Sequence, residues 1–332
     1  MRDAATQADG RWSLRDVEAL DTAGALLLWR AWGQRMPDDV DCRRDQRLLF
    51  SYLERASRRE REAPAKRRFV ILVEIGASIM LLIREVGEIT LLIGQLMVDA
   101  VYCLRHPRAI PFREISATIY RAGAQSVALL TFIGALVGIV LAFQLGGQLK
   151  NFGANTAIIG AVGLAFLREL GPFLTGLILV GRSGSAFTAG IGAMRVTAEL
   201  DALRAFGISP TLRIVFPKVV GLALAMPLLV LWTDFAGIMG AIYMSTQQLH
   251  VGYAMWLNQF PSAVPWSNFL IGYGKGVLFG AMIALVSSYY GLKSEPNTQS
   301  LTEHTIRSVV VNLALVIAID GALGVLLTHV GI

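Results

Sequence analysis

Long runs of apolar residues dominate the chain after residue 120, and five of them could each cross a membrane. A helix needs about 20 predominantly apolar residues to cross roughly 30 Å of hydrocarbon. Several of the runs enclose an isolated charge, such as Asp234, Lys275 or Asp320. The pattern predicts an all-α polytopic membrane protein. Its predicted spans are residues 124–145, 157–180, 219–243, 269–290 and 309–327.

The segment 69–104 is also apolar, but charged residues interrupt it throughout. A charge at the centre of a bilayer costs about 2.5–3.5 kcal/mol on insertion scales, so a lone lipid-facing span here would be costly. We expect a helix that lies in the membrane interface, or an elbow that other helices shield from lipid. The interrupting residues are Glu74, Arg84, Glu85, Glu88 and Asp99.

The first 68 residues differ in composition from the rest. They hold 15 Lys/Arg and 12 Asp/Glu, as many of each as the remaining 264 residues. The stretch SRREREAPAKRR is typical of a solvated linker. We therefore expect a cytoplasmic region over residues 1–60, a charged linker over 61–68 and a membrane domain over 69–332.

Overall, 54% of the residues are hydrophobic and 16% charged, below the roughly 25% charged that is usual in soluble domains. The net charge of +6 reflects basic residues in the loops, and no basic run is interleaved with aromatics as in a nucleic-acid module. The loop between spans two and three holds five Lys/Arg, whereas residues 244–268 hold none. By the positive-inside rule the N-terminus is cytoplasmic, and five spans put the C-terminus outside.

Several kinds of chemistry lack their sequence motif. Cys42 and Cys103 and the four histidines have no metal-ligand spacing, so no metal site is expected. The sequence contains no phosphate-binding GxxxxGK[ST] loop and no GxSxG nucleophile motif. The chain is therefore expected to be no enzyme and to bind no cofactor, and any ATP that drives it must bind another subunit.

A charged pair, Arg168-Glu169, lies deep in the second predicted span and precedes Gly171-Pro172. Adjacent helical residues point about 100° apart, so the two charges are not expected to neutralise each other across one face. Proline removes a backbone donor and disrupts the preceding turn. A charged pair beside a helix break is typical of a substrate pathway. A buried interhelical ion pair is the alternative.

Small residues follow in GRSGSAFTAGIGA, where Gly181 and Gly184 favour close packing or a hinge. Arg182 lies where the span leaves the membrane, so its side chain can reach the interface. Glycines also recur every fourth residue as Gly134-x3-Gly138 and as Gly272-x3-Gly276-x3-Gly280. These repeats predict tight helix packing.

Residues 194–206 form a predicted amphipathic helix in the basic loop after span two. Val196, Leu200 and Leu203 recur at helical spacing, while the charged residues lie on other faces. A short helix held between two spans is a good docking surface for a cytoplasmic partner; resting on lipid headgroups is the alternative. The candidate docking residues are Met194, Arg195, Glu199, Leu200, Leu203 and Arg204.

Residues 70–332 resemble the MlaE/YrbE permease family, the membrane subunits of ABC-type phospholipid transporters. The matching residues are Glu169-Leu170-Gly171-Pro172, Gly181-Arg182, Gly184-Ser185-Ala186, Gly192, Met194-Arg195, Asp201-Ala202-Leu203, Pro217, Lys275, Tyr290-Gly291, Thr305, Arg307 and Val309-Val310. The chain departs from the family pattern at Gly190, which replaces an acidic residue, and at Thr197-Ala198-Glu199.

The resemblance implies a homodimer in a bacterial inner membrane that works with a cytoplasmic ABC ATPase and a periplasmic MCE-domain protein. It implies that phospholipid moves between the inner and outer membranes and that ATP and magnesium bind the ATPase. Residues 194–206 would be the coupling helix and 69–104 the interfacial helix. The implied substrate pathway would contain Arg168, Glu169, Gly171, Pro172 and Lys275.

Residues 12–56 resemble the later half of a STAS domain through the stretch LDTAGALL. Thr22 matches a position that is phosphorylated in STAS proteins, which implies regulation or a link to a separate STAS protein. The simpler interpretation is that Asp21 or Thr22 caps a helix. A STAS-linked secondary anion transporter is an alternative function, but it predicts internal repeats and a C-terminal STAS region, and neither is present. An intramembrane lipid enzyme would need a catalytic set that Glu169, Asp234 and Asp320 do not provide.

Overall fold

The computed structural model describes residues 12–14, 17, 20–34, 36–37, 40–61 and 70–329. Residues 62–68 of the predicted linker and residues 1–11 of the predicted N-terminal region lie outside the described residues. The chain divides into two compact units, Met1–Leu82 and Ile83–Ile332. Each unit has its own core.

The N-terminal unit is a small α/β arrangement. Strands β1 (Trp12–Ser13) and β2 (Val40–Asp41) pair in parallel, and helix α1 (Thr22–Ala31) connects them. Helix α2 (Arg44–Arg61) follows. Parallel strands need a crossover connection, which α1 provides. The core is formed by side chains of α1, β2 and α2 and by the residue that follows β1: Leu14, Ala25, Trp29, Val40 and Phe50.

The membrane unit is helical, and its helices continue through several irregular turns. Short 3₁₀ turns cover Pro107–Ala109 and Ala124–Ser126, and π-helical turns cover Ala165–Leu170, Val180–Gly184 and Thr211–Val215. The α-helices are α3 (Val70–Arg105, which begins in the first unit), α4 (Phe112–Ala122), α5 (Val127–Asn151), α6 (Ala157–Leu164), α7 (Gly171–Leu179), α8 (Ser185–Val196), α9 (Glu199–Ala205), α10 (Phe216–Leu249), α11 (Tyr253–Ala263), α12 (Trp266–Lys293) and α13 (Thr298–His329).

Six helical runs in the described part of the chain are long and apolar enough to cross a membrane, so the protein is a multi-pass α-helical membrane protein. Five of the runs contain the five predicted spans, and the remaining one, the first along the chain, overlaps the segment predicted to be interfacial. They are Ile83–Arg105, Phe112–Asn151, Ala157–Val196, Thr211–Leu249, Trp266–Lys293 and Thr298–Leu327.

The runs are longer than the predicted spans, and the second differs most. The sequence places its end at residue 180, but the helix continues to Val196. The glycines at its predicted end lie in the π-helical turn Val180–Gly184, which widens the helix without ending it. The predicted helix 194–206 is therefore divided. Residues 194–196 end α8, Ala198 adopts a left-handed conformation, and α9 begins at Glu199.

The predicted glycine packing is confirmed. A Cβ atom at Gly138 of α5 would overlap the carbonyl oxygen of Gly237 in α10, and one at Gly240 would overlap the carbonyl of Ala135. A Cβ atom at Gly280 of α12 would lie 2.7 Å from the carbonyl oxygen of Leu222 in α10. The backbones of α5 and α12 thus approach α10 as closely as glycine permits.

Two apolar clusters occupy the membrane unit at different depths. The first contains Leu179 of α7, Leu222 of α10 and Phe279 of α12. The second contains Phe166, just before α7, and Ala241 of α10. Along both the second span and α10, the residues between the two clusters include polar and charged side chains. The candidate site lies in that intermediate layer.

Candidate substrate-pathway site

Lys275 of α12 is the centre of a charged cluster inside the membrane unit. Its Nζ atom donates to an Oε atom of Glu169, in the second span, and to Oδ1 of Asp320, in α13, at 2.9 Å. The lysine is only 3% exposed. A buried ammonium loses its hydration, and the two carboxylates compensate for that loss. Three separate spans are therefore connected through one cation.

Arg168 extends the cluster on the side of Glu169. Its Nε atom lies 3.5 Å from Oε1 of Glu169, and one of its terminal nitrogens donates to Oδ1 of Asn268 at 3.3 Å. The expectation that these adjacent residues would not neutralise each other is wrong. Both lie in the π-helical turn Ala165–Leu170 rather than in a regular α-helix, and the long arginine side chain bends back to the carboxylate.

Gly171 and Pro172 have a packing role beside this cluster. A Cβ atom at Gly171 would overlap Oδ1 of Asp234, so only glycine fits against that carboxylate. Pro172 stands at the start of α7, where its missing N–H is tolerated because the preceding turn is π-helical. Asp234 is 1% exposed, and neither of its carboxylate oxygens has a hydrogen-bond partner among the described residues.

The four charges of the cluster sum to zero, with Lys275 and Arg168 opposing Glu169 and Asp320. Exposure varies widely among their side chains: 2% for Lys275, 17% for Asp320 and 38% for Glu169. Glu169 therefore has part of its side chain outside the packed core while its carboxylate remains paired with the buried lysine. A cluster of this kind can contact a polar headgroup at membrane depth while its own four charges cancel.

The structure brings together Arg168, Glu169 and Lys275, the charged members of the predicted pathway. It adds Asp320 and Asn268, which sequence reasoning did not assign to the site. Asp320 was visible as an isolated charge in the fifth span, and its position opposite Lys275 depends on how α12 and α13 pack. In the described part of the chain, no group of His, Cys, Asp and Glu residues is placed to hold a metal ion.

The candidate packing and hinge residues Gly181, Arg182 and Gly184 all lie in the π-helical turn Val180–Gly184. A Cβ atom at Gly184 would lie 3.0 Å from Oγ of Ser287, whereas one at Gly181 would meet open space. Arg182 donates to Oγ of Ser126 at 2.8 Å and to Oε1 of Gln125. Gly184 therefore packs against α12, and Arg182 is held to the 3₁₀ turn that precedes α5.

The candidate coupling residues divide into two sets. Leu200 is only 1% exposed, because it packs with Ile191 and Ile214 of its own chain. Met194 and Leu203 pack against the same cluster. Arg195 donates to the carbonyl oxygen of Leu292 at the end of α12. Leu200 and Leu203 of the predicted apolar stripe thus face inwards, whereas Val196, its third member, is 38% exposed.

The other coupling residues face outwards. Glu199 accepts a hydrogen bond from Thr197 at 3.0 Å, and Arg204 pairs with Asp201, and all four are exposed. The residue that sequence reasoning missed is Phe206, which directly follows α9 and is 81% exposed. Ile208 beside it is also exposed. The sequence signal for a docking residue would have been an aromatic residue directly after a short charged helix.

In the N-terminal unit, Thr22 is exposed at the first position of α1. The carboxylate of Asp21 accepts a hydrogen bond from the backbone N–H of Gly24 at 2.7 Å. This is an N-cap, as the simpler interpretation of the motif expected. Phosphorylation of Thr22 and the STAS resemblance stay predictions.

The fold and the neutral charged layer define a class of protein, a polytopic membrane protein with polar groups at membrane depth. Residues 115–326 match the family model "Permease MlaE", and the chain belongs to that family. A probable ABC transporter permease protein of Synechocystis is 33% identical over 192 residues, which are 58% of this chain and 73% of the relative.

Two further relatives have names that state a role or a location. The intermembrane phospholipid transport system permease protein MlaE of Haemophilus influenzae is 31% identical over 60% of this chain and 76% of its own length. The protein TRIGALACTOSYLDIACYLGLYCEROL 1, chloroplastic, of Arabidopsis thaliana is 28% identical over 64% of this chain and 60% of its own length.

Proposed function

We propose that the chain is the membrane permease subunit of an ATP-driven phospholipid transporter that moves lipid between the inner and outer membranes. The observation that carries the proposal is the Lys275 cluster, a set of two cations and two anions whose charges cancel. It lies between two apolar clusters. A phospholipid that leaves a bilayer has a charged headgroup and apolar chains. The Lys275 cluster offers the headgroup polar partners at membrane depth, where lipid offers none.

The proposed substrate pathway runs past Glu169 and includes Arg168, Gly171, Pro172, Lys275 and, from the structure, Asp320. Glu169 is the member that reaches the outside of the packed core. A headgroup phosphate beside Arg168 would compete with Glu169 for the guanidinium. The Haemophilus relative, whose name states intermembrane phospholipid transport, supports lipid as the substrate class.

The chain is proposed to be non-catalytic and to bind no cofactor. A separate cytoplasmic ABC ATPase would bind ATP and magnesium, and a periplasmic MCE-domain protein would exchange lipid with the permease. We propose a homodimer in a bacterial inner membrane with the N-terminus in the cytoplasm, and no role with nucleic acid. Membership of a permease family and relatives named as ABC permeases support this arrangement. They do not favour the secondary anion transporter.

The contact with the ATPase is proposed to lie on the loop around α9. Its outward residues Glu199, Arg204 and Phe206 would meet the ATPase, while Leu200 and Leu203 hold the loop to the membrane unit. Interfaces of this kind depend on a few aromatic or apolar anchors. Phe206 replaces Leu200 and Leu203 as the proposed anchor, because only Phe206 is largely exposed.

The transport proposal can be tested in proteoliposomes that contain the permease, its ATPase and its MCE-domain partner. The measurement is ATP-dependent transfer of labelled phospholipid to acceptor vesicles. Glu169→Gln should reduce transfer at least tenfold while the ATPase still co-purifies. Glu199→Gln is the matched control, because it removes an exposed carboxylate outside the pathway. Transfer unaffected by Glu169→Gln would contradict the pathway, and transfer without ATP would contradict the transporter class.

The coupling proposal has its own variant. Phe206→Glu should abolish co-purification of the ATPase, because it places a charge in an apolar contact, and the permease should remain folded in the membrane. Phe152→Glu is the control, since Phe152 is 83% exposed and follows α5, on the opposite side by loop charge. Full retention of the ATPase by the Phe206→Glu protein would show that α9 is not the coupling surface.

A further inference from the structure

A second polar site lies apart from the Lys275 cluster, in a cavity of about 690 Å³ at the basic side of the membrane unit. Three chain segments form its walls: α4 with the following 3₁₀ turn, α8 with its preceding π-helical turn, and the start of α10 with its preceding π-helical turn. Five of its lining residues are basic and one is acidic: Arg113, Arg121, Arg182, Arg213, Lys218 and Glu114. The cavity therefore carries a formal charge of +4, counted as five minus one.

Most of this positive charge is uncompensated. Arg213 pairs with Glu114 at 2.9 Å, which uses the single carboxylate of the cavity. Among the described residues Arg113, Arg121 and Lys218 make no ion pair, and Arg182 donates only to neutral groups, Ser126 and Gln125. Like charges that are held together without counter-charges repel one another. Such an arrangement favours an anion.

The cavity also has an apolar wall. Phe187, Met194 and Ile214 line it, and Nζ of Lys218 lies 5.6 Å from the centre of the Phe187 ring. A free inorganic anion would gain nothing from this wall, whereas a lipid would bury glycerol and the first part of its acyl chains against it. Basic pockets between membrane helices on the cytoplasmic side are suited to anionic lipid headgroups.

We propose that this cavity binds the phosphate of an anionic glycerophospholipid from the leaflet that faces the basic loops. Arg121 and Lys218 bind the phosphate, and Phe187 contacts the apolar part of the lipid. Arg182 lines the cavity in a position fixed by its hydrogen bonds to Ser126 and Gln125. The site is separate from the proposed transport pathway, because it shares no residue with the Lys275 cluster. A lipid bound there would contact α4, α8 and α10 at once, and α8 leads to the α9 loop.

The test uses the full chain in neutral detergent and a short-chain phosphatidylglycerol as the probe, with binding followed by calorimetry. The unaltered protein should bind one lipid per chain saturably. Arg121→Gln/Lys218→Gln should weaken binding about 30-fold, from about 1 kcal/mol for each basic residue near an anionic headgroup. Arg105→Gln/Arg108→Gln is the matched control, since it removes two exposed charges that do not line the cavity. The affinity of this control variant for the lipid should stay within about threefold of that of the unaltered protein.

Three outcomes would overturn the proposal. The first is equal loss of affinity in the two double variants, which would indicate only general surface attraction. The second is inorganic phosphate binding as tightly as the lipid, which would make free phosphate the ligand. The third is no lipid binding together with loss of the ATPase from the Arg121→Gln/Lys218→Gln protein, which would make the cavity a protein contact.

If that double variant fails to fold, Arg113→Gln/Arg121→Gln replaces it, because both arginines are exposed and leave no buried group unpaired. The expected loss is again about 30-fold. Because lipid binding and lipid transfer are measured separately, failure of the binding test leaves the proposed transport function untouched. Failure of lipid transfer would likewise leave this binding site untouched.

Discussion

Helix α12 carries two lysines that each bridge two carboxylates in different surroundings. Lys275 joins Glu169 and Asp320 from two different spans, and its side chain is 2% exposed. Lys293, at the end of the same helix, joins Glu85 at 3.4 Å and Glu88 at 3.0 Å, and its side chain is 32% exposed.

The two lysines have similar partners, so burial decides how much each contributes to the free energy of unfolding. An exposed ion pair contributes about 0–1 kcal/mol, because water and salt compete for both ions. Removing one partner of a buried pair costs about 3–5 kcal/mol, because an uncompensated charge remains. We therefore interpret Lys275 as necessary for the membrane unit and Lys293 as an adjustable attachment of α3.

The Lys293 cluster also explains the charges that interrupt segment 69–104. Glu85 and Glu88 face α12 and α13, where they meet Lys293, Arg307 and the hydroxyl of Tyr289 at 2.6 Å. Within the described residues these carboxylates are therefore paired and partly covered by protein, with side-chain exposures of 17% and 32%. This favours the shielded elbow, one of the two arrangements that the sequence left open. That α3 lies in the membrane interface stays a prediction.

The largest expected effect comes from replacing each lysine by methionine. Lys275→Met should lower the free energy of unfolding by about 3–5 kcal/mol, because Asp320 loses its cation and Glu169 keeps only its longer contact with Arg168. Lys293→Met should lower it by about 1 kcal/mol or less. Unfolding in mixed micelles, titrated with a denaturing detergent, provides the comparison. Equal losses would mean that burial does not distinguish the two clusters.

A second, smaller effect tests the charge balance of the inner cluster. Lys275→Met/Asp320→Asn keeps the net charge at zero, with Arg168 opposing Glu169. It should recover about 1–3 kcal/mol of the loss seen in Lys275→Met, as expected for contacting residues. Lys293→Met/Glu88→Gln should recover no more than a few tenths of a kcal/mol. Simple additivity at the inner pair would contradict charge compensation as its main role.

Salt should separate the clusters without any substitution. At 1 M salt the Debye length is about 3 Å, so exposed ion pairs are largely screened and buried ones much less so. Amide hydrogen exchange along Ile83–Arg105 should accelerate about two- to fivefold between 0.1 M and 1 M KCl. Exchange around Lys275 should stay unchanged. Acceleration of both regions together would indicate that salt loosens the whole membrane unit.

The smallest expected effect concerns Arg307, the second cation of the outer cluster. It lies 3.0 Å from Glu85, and its side chain is 46% exposed. Arg307→Gln should change the exchange rate of α3 by less than twofold, because Lys293 still pairs with both carboxylates. The same measurement on Lys293→Met should give the larger acceleration. The reverse order would make Arg307 the main attachment.

Much of the site was predictable because an isolated charge in an apolar run needs a partner. That argument found Arg168 and Glu169, and the family resemblance added Lys275. It could not pair Lys275 with Asp320, since the rotation of α13 against α12 depends on packing rather than on spacing. The π-helical turn at Ala165–Leu170 was also unpredictable, because its sequence continues the helical pattern. That turn is what lets Arg168 reach Glu169.

The coupling loop shows a different limit of sequence reasoning. An apolar stripe at helical spacing indicates that a face is covered but does not say by what. The helix around Leu200 packs on its own chain, through Ile191 and Ile214. Phe206, the exposed residue, stands outside the periodic pattern. The fold class and the five main spans were predictable because their length and apolarity are dictated by the bilayer.

The glycine contacts between α5 and α10 have a mechanical consequence. The carbonyl oxygens of Gly237 and Ala135 occupy the space where Cβ atoms would stand at Gly138 and Gly240. Rotation of one helix about its axis would bring residues with a Cβ atom against the neighbouring backbone. We therefore expect α5 and α10 to move together as one rigid body. The motion of a working cycle would then fall to the other helices. A covalent cross-link between α5 and α10 should leave lipid transfer intact. A cross-link that stops transfer would show that the two helices move relative to each other during transport.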